Sequence, residues 1–297
     1  MRTWVLGAGG FVGSHLVHVL HEAGSEVVAV PRPLDLTADD AVERLFADGE
    51  PDAVVNLAAV PDIAPCRDDP AGADALNARF PGALAAACAA RGLRLVHLST
   101  DQVFSGDLSG PELAGPDGDR APRDVPRDAW REGDPARPIH VYGETKLAGE
   151  GAVLAAHPDA LVLRPGLVTG RAPEGRRSAT SGLLAAVERA AAGGPRPRMF
   201  TDEWRTPVAV QDVAVAVADL LPRRELTGLL HLGGDARLSR LELARTELRQ
   251  RGLDEGLLDA GTRADAGLEA ERPADLSLDS TRLREALGWW PRSVLAD

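Results

Sequence analysis

A chain of 297 residues with 44% hydrophobic content has enough apolar surface for a large buried core. Its formal charge of −12 repels polyanions, which excludes nucleic acid and an anionic membrane surface as partners. No run of 18 apolar residues occurs, the N-terminus enters an apolar strand rather than a cleavage site, and the two cysteines lack metal-ligand spacing, so a cytoplasmic globular protein is expected, with no metal ligands assigned and a metal requirement left open.

In chain order, residues 3–6 form an apolar run that ends in a glycine cluster. Residues 11–23 then carry apolar positions at helical period, giving strand, turn, helix. Residues 26–30 read as a second strand, 38–47 as a helix, 53–57 as a third strand, 74–91 as a helix and 93–99 as a fourth strand. A Gly/Pro/Asp/Arg-rich surface loop is expected over 106–138, followed by a helix over 140–156 and a strand over 160–163. Such alternation predicts an α/β fold, a Rossmann-type doubly wound parallel sheet covered by helices on both faces. Beyond Pro165 the pattern shifts: helices are expected at 178–192, 211–221, 239–251 and 280–287, and extended segments at 206–210 and 229–232. The expected division is a dinucleotide-binding domain over 1–164, returning over 206–233, and a smaller substrate lobe from 165–205 and 234–297, with substrate in the cleft between them.

Gly7, Gly10 and Gly13 stand in GAGGFVG between the first strand and the first helix. Glycine there lets the backbone turn tightly and approach a pyrophosphate, whose charge meets the helix N-terminal amides. Gly7, Gly9, Gly10, Phe11, Val12 and Gly13 are therefore assigned to a dinucleotide. After the second strand comes Pro31-Arg32 with no acidic residue at the strand tip, and an arginine there suits a 2′-phosphate, so NADP(H) is the expected cofactor. Asp35, followed by Leu36, is placed to contact the adenine.

The chain has one tyrosine, Tyr142, and one lysine, Lys146. Chance would set a lone pair in this order four apart roughly once in three hundred, so the YxxxK pattern carries weight. Spacing i to i+4 puts both side chains on one helix face. An ammonium about 4 Å from a phenolate is worth roughly 4 kcal/mol at intermediate dielectric; that interaction is expected to bring the phenol toward neutrality as a proton donor to a carbonyl oxygen. Thr100, at the end of the fourth strand, is placed to hydrogen-bond the same oxygen. His15, His18 and His21 read as an exposed helix face.

Several segments together resemble the dTDP-4-dehydrorhamnose reductase (RmlD-like) family of extended short-chain dehydrogenases: GAGGFVG, DLT at 35–37, NLAA at 56–59, STDQVFSG at 99–106, VYGETKLAGE at 141–150, LRPG at 163–166, RTPVAVQDVA at 205–214 and RPADLSLDSTRLREALG at 272–288. The resemblance implies a catalytic triad of Thr100, Tyr142 and Lys146, a cofactor-lining segment that includes Asn56, Ala58 and Ala59, and a second contact of Tyr142 and Lys146 with the cofactor. It implies NADPH-dependent reduction of a nucleotide-linked 4-keto-6-deoxy sugar, with a homodimer left open. Departures from the family fall where substrate is touched: Gln102 replaces a tyrosine next to Asp101, the 106–138 loop is long, and Trp204-Arg205 replaces a small turn. Asp101, Gln102, Trp204 and Arg205 are accordingly the expected substrate residues. Other readings that stay open are a reductase of a non-sugar ketone, an epimerase or dehydratase that keeps its cofactor bound and uses Asp101 and Glu144, and a non-catalytic regulatory NADP-binding subunit.

Overall fold

The computed structural model describes residues 1–30, 34–47, 49–108 and 129–294. In chain order the first half is β1 (Arg2–Leu6), α1 (Phe11–Glu22), β2 (Glu26–Ala29), α2 (Ala41–Phe46), β3 (Ala53–Asn56), α3 (Ile63–Asp68), α4 (Pro70–Asp74), a π-helical turn (Ala75–Arg79), α5 (Phe80–Ala90), β4 (Arg94–Leu98), α6 (Val141–Ala156) and β5 (Leu161–Pro165). The second half is β6 (Val168–Thr169), α7 (Ala179–Ala191), β7 (Arg198–Phe200), β8 (Trp204–Arg205), β9 (Val208–Ala209), α8 (Val210–Leu220), β10 (Gly228–Leu232), β11 (Leu238–Ser239), α9 (Arg240–Gln250), β12 (Asp259–Gly261) and α10 (Thr281–Leu287).

Six strands form one sheet in the order β10-β5-β4-β3-β1-β2, parallel from β2 through β5. Strands β3, β4 and β5 are almost wholly buried because helices cover the sheet, which is why they read as continuous apolar runs rather than as alternation. On one face Trp4, Leu6, Val54, Leu95 and Val162 pack with Phe80, Leu84 and Cys88 of α5 and Val153 of α6. The chain reverses direction across the sheet beside β1, which puts the ends of β1 and β3 at the switch point where α/β folds bind ligands.

The chain divides into two compact units, 1–103 with 140–164 and 213–230, and 104–139 with 165–212 and 231–297. This differs from the sequence-based division at two places. Residues 104–139 are expected from sequence in the first unit, but Phe104 stacks on Trp130 with centroids 4.5 Å apart, and Trp130 donates from Nε1 to the Asp275 carbonyl at 2.8 Å, tying the segment into the second. The return to the first unit is shorter than expected, 213–230. Within the second unit Leu183 and Val187 of α7 pack on Leu241 and Leu248 of α9, closing a separate core. Among the described residues no helix is long and apolar enough to cross a membrane, and no cluster of His, Cys, Asp and Glu could hold a metal ion.

Candidate active site

The glycine turn is built by close backbone approach. Gly7 has φ +78°, and a Cβ on it would lie 2.9 Å from the Leu57 carbonyl. A Cβ on Gly13 would lie 2.2 Å from the Gly7 oxygen and 2.8 Å from Ala8 Cα, so no larger residue fits without moving main chain. Gly10 caps α1, its N–H donating to the Gly7 carbonyl at 2.8 Å, and the first turn of α1 carries no acidic residue. The result is a cradle lined by main chain at a helix N-terminus, the geometry and sign that a pyrophosphate requires. Gly9 is exposed and Phe11 and Val12 open the helix beside it. Asp35 is exposed and accepts from the Thr37 N–H and hydroxyl, which hold its carboxyl below the ordinary range, and Leu36 packs on the core. Arg32 lies outside the described residues.

Asn56 ends β3 with its side chain buried: Oδ1 accepts from the Ala58 N–H at 3.1 Å, shaping the turn that presents Ala58 and Ala59, while Nδ2 reaches Nδ1 of His97 on β4. Thr100 and Asp101 follow β4 and are both buried; the Thr100 hydroxyl donates to Asp101 Oδ1 at 3.2 Å and accepts from the Gln102 N–H. Helix α6 starts at His140, whose Nδ1 accepts the Gly143 N–H, leaving Nε2–H to donate to Gln102 Oε1 at 2.9 Å. That cap sets Tyr142 in the first turn of α6, half-buried, with Thr100 among the groups that act on its phenol. Lys146 is 1% exposed, and its ammonium donates to the Leu98 carbonyl at 2.7 Å, 3.4 Å from His97 Nε2. Asn77, in the π-helical turn, accepts the Val60 N–H at Oδ1, donates from Nδ2 to the Val60 carbonyl and to Thr145 Oγ1, and so ties α6 to the chain after β3.

The electrostatics differ from the sequence-based expectation. Burial, opposed by the Thr100 hydrogen bond and reinforced by the Asp101 carboxylate, pushes the Tyr142 phenol above its ordinary value. Lys146 is pulled down to about 8, by burial first and against the attraction of Glu150. The lysine bonds to Leu98, and desolvation outweighs the attraction that four-residue spacing promised.

The substrate-side expectations divide. Asp101 and Gln102 follow Thr100, and Gln102 takes the His140 ring at the start of α6. Trp204 lies in the second unit with the Arg237 guanidinium 4.1 Å over its ring. Arg205 is corrected: its side chain is buried and donates to Glu203 at 3.0 Å and to the Trp204 carbonyl, so its charge is engaged inside that unit. Glu203 also takes Arg272 at 2.6 Å, and these cations hold its carboxyl low despite burial. Of the acid/base pair an epimerase would use, Asp101 is buried against Thr100 and Glu144 is exposed. Sequence reasoning missed His97, His140, Asn77 and Glu150; each reads alone as a polar residue in a strand or helix.

A parallel sheet with a glycine cradle at its first crossover, a buried threonine after β4, and a half-buried tyrosine and buried lysine on α6 defines a Rossmann protein of the extended short-chain dehydrogenase/reductase class. Residues 1–294 match the family described as RmlD substrate binding domain, and the chain belongs to that family. It is 32% identical to a probable low-salt glycan biosynthesis reductase of Haloferax volcanii over 97% of this chain and 93% of that one. It is 36% identical to a dTDP-4-dehydrorhamnose reductase of Mycobacterium tuberculosis over 85% of this chain and 76% of that one. A dTDP-4-dehydrorhamnose reductase of Bacillus anthracis, crystallised in complex with NADP, shares the fold with TM-score 0.81 at 22% identity, over 98% of this chain and 95% of that one.

Proposed function

We propose that the chain is an NADPH-dependent ketoreductase of a nucleotide-linked 4-keto-6-deoxy sugar, and that Thr100, Tyr142 and Lys146 carry the reaction. The observation that supports this most directly is Lys146, buried with its ammonium on the Leu98 carbonyl one helical turn beyond Tyr142 on α6, while Thr100 lies buried just past the same strand β4. NADPH, when bound, supplies the hydride that adds to the carbonyl carbon. Gly7, Gly10 and Gly13 hold its pyrophosphate, Asn56 to Ala59 line it, Asp35 serves the adenine side and Arg32 meets the 2′-phosphate. Tyr142, kept protonated by its surroundings, donates to the carbonyl oxygen as negative charge develops there, and Thr100 hydrogen-bonds the same oxygen. Lys146 holds the nicotinamide ribose. The reductases among the relatives support the reaction class.

The test is loss of reduced-nicotinamide absorbance when the protein meets NADPH or NADH with dTDP-4-dehydrorhamnose. Turnover with NADPH that Tyr142→Phe abolishes supports the reading. Cofactor binding without consumption of NADPH rejects it.

A further inference from the structure

A line of donors runs into Lys146 from β3. The Ala58 N–H donates to Asn56 Oδ1 at 3.1 Å, which fixes the amide; turning it over would set NH2 against that N–H. Asn56 Nδ2 then donates to His97 Nδ1, 3.1 Å away across the β3/β4 ladder, where the two residues are register partners. An imidazole that accepts at Nδ1 carries its proton at Nε2. His97 Nε2–H therefore faces Lys146 Nζ at 3.4 Å, and the third direction around Nζ is taken by the Leu98 carbonyl at 2.7 Å. Asn56, His97 and Lys146 are all at or below 1% exposure, so water does not relieve the contact. A protonated Nζ has no lone pair for the imidazole N–H, whereas the neutral amine accepts it. The geometry therefore favours release of a proton from Nζ, after which its lone pair receives the His97 hydrogen bond.

We propose that Asn56 and His97 are a positioning pair that sets one N–H against the chain's single lysine, making Lys146 a proton-exchanging group near neutral pH rather than a fixed cation. Burial acts in the same direction, and the charged groups around Lys146 act against it. Glu150, one turn further on α6, favours the ammonium, but its carboxylate is shared with Arg164 and Ser99. Cys66 on α3 acts in the same direction as Glu150, and burial outweighs both, leaving Lys146 at about 8. His97 itself is held neutral, by burial first and then by Lys146. The use of this proton in catalysis rests on the ketoreductase reading; the titration does not.

Because the chain contains one lysine, protein labelled with ε-13C lysine gives a single side-chain signal whose pH titration is that of Lys146, without cofactor or substrate. The expected midpoint in the wild type is about 8, against an ordinary lysine near ~10.4. Asn56→Asp accepts from both Ala58 N–H and His97, moves the ring proton to Nδ1 and turns an Nε2 lone pair toward Lys146, so the midpoint should rise by about one unit or more. His97→Leu removes the N–H without adding charge and should raise it too. A wild-type midpoint near that of an ordinary lysine overturns the proposal without any variant. So does a midpoint that stays put in a folded His97→Leu protein, which brings no charge; a rise confined to Asn56→Asp, whose new carboxylate attracts the ammonium whatever the His97 tautomer, overturns it as well. In turnover, the alkaline limb of kcat should move with the lysine signal; absence of any NADPH oxidation by the wild type would count against the ketoreductase reading while leaving the titration result intact.

Discussion

Glu150 of α6 and Arg164 of β5 form a two-pronged ion pair, Nε to Oε1 at 2.8 Å and Nη2 to Oε2 at 2.6 Å, with each side chain only 3% exposed. Ser99, which follows β4, adds a hydroxyl bond to the same carboxylate. Breaking one side of such a pair leaves a buried charge unsatisfied, so Glu150→Gln should lose about 3–5 kcal/mol in urea unfolding. Replacing both partners with apolar residues of similar volume should cost much less. Glu150→Gln should also drive the lysine midpoint further down, since Glu150 favours the ammonium. An unfolding loss below about 1 kcal/mol, the size typical of an exposed pair, would contradict the buried geometry.

Lys146→Met should make the protein more stable at pH 7 while abolishing turnover. The folded-state midpoint of about 8 lies below that of an unfolded lysine, so burial of the cation is a cost at neutral pH. Between pH 8 and about 10 the unfolded chain keeps a proton that the folded chain has released, and wild-type stability rises through that window from this group. A shift of this size corresponds to roughly 3 kcal/mol; loss of the hydrogen bond to Leu98 returns about 1. The variant should therefore lead by about 2 kcal/mol at pH 7, and the lead should shrink as pH climbs to 10. Comparing variant with wild type at each pH cancels the opposite trend from Cys66 and Cys88, whose thiols burial pushes up. A variant less stable than wild type at pH 7 would refute the assignment.

Tyr142 gives an independent reading of the same site. As the chain's one tyrosine, it is the source of any phenolate absorbance near 295 nm, and burial pushes its phenol above the ordinary ~10. No phenolate signal is expected in the folded protein through pH 10. Tyr142→Phe should lower kcat by about 10²–10⁴-fold with cofactor affinity retained. Phenolate appearing at pH 8 would restore the direct tyrosine–lysine coupling that the helix spacing suggested.

Legibility followed the range of the interaction. The strands and helices of the first unit show in the sequence because period and flanking glycines are local signals; the expected helix 140–156 is α6, and 178–192 is α7, each within one residue of the observed ends. Gly7 and Gly13 are readable because the turn they make is formed within seven residues. His97 is not. It interrupts an apolar strand, and its partners come from 41 residues before and 49 after. Trp130 lies in a segment whose composition reads as surface loop, yet its anchor is the Asp275 carbonyl 145 residues on. Arg205 reads as a substrate residue because a turn motif says nothing about the buried Glu203 that takes its guanidinium. The phenol's shift escapes the sequence for a similar reason: spacing gives the distance between two charges, while the desolvation that opposes them depends on everything packed above.

Gly13→Ala separates the cradle from ordinary helix preference. Alanine normally stabilises a helix interior over glycine by up to about 1 kcal/mol, and Gly151 in α6, where an added Cβ would meet nothing within 4 Å, should show that gain as Gly151→Ala. At Gly13 the added Cβ meets the Gly7 oxygen at 2.2 Å and Ala8 Cα at 2.8 Å, both main chain of the turn itself. The turn must open to admit it, which moves the N–H groups that would face a pyrophosphate. Gly13→Ala should therefore lose stability and weaken NADPH binding at least tenfold, measured by quenching of protein fluorescence, whereas Gly151→Ala should leave binding unchanged. Equal affinity in the two variants would mean that the glycine turn serves packing alone.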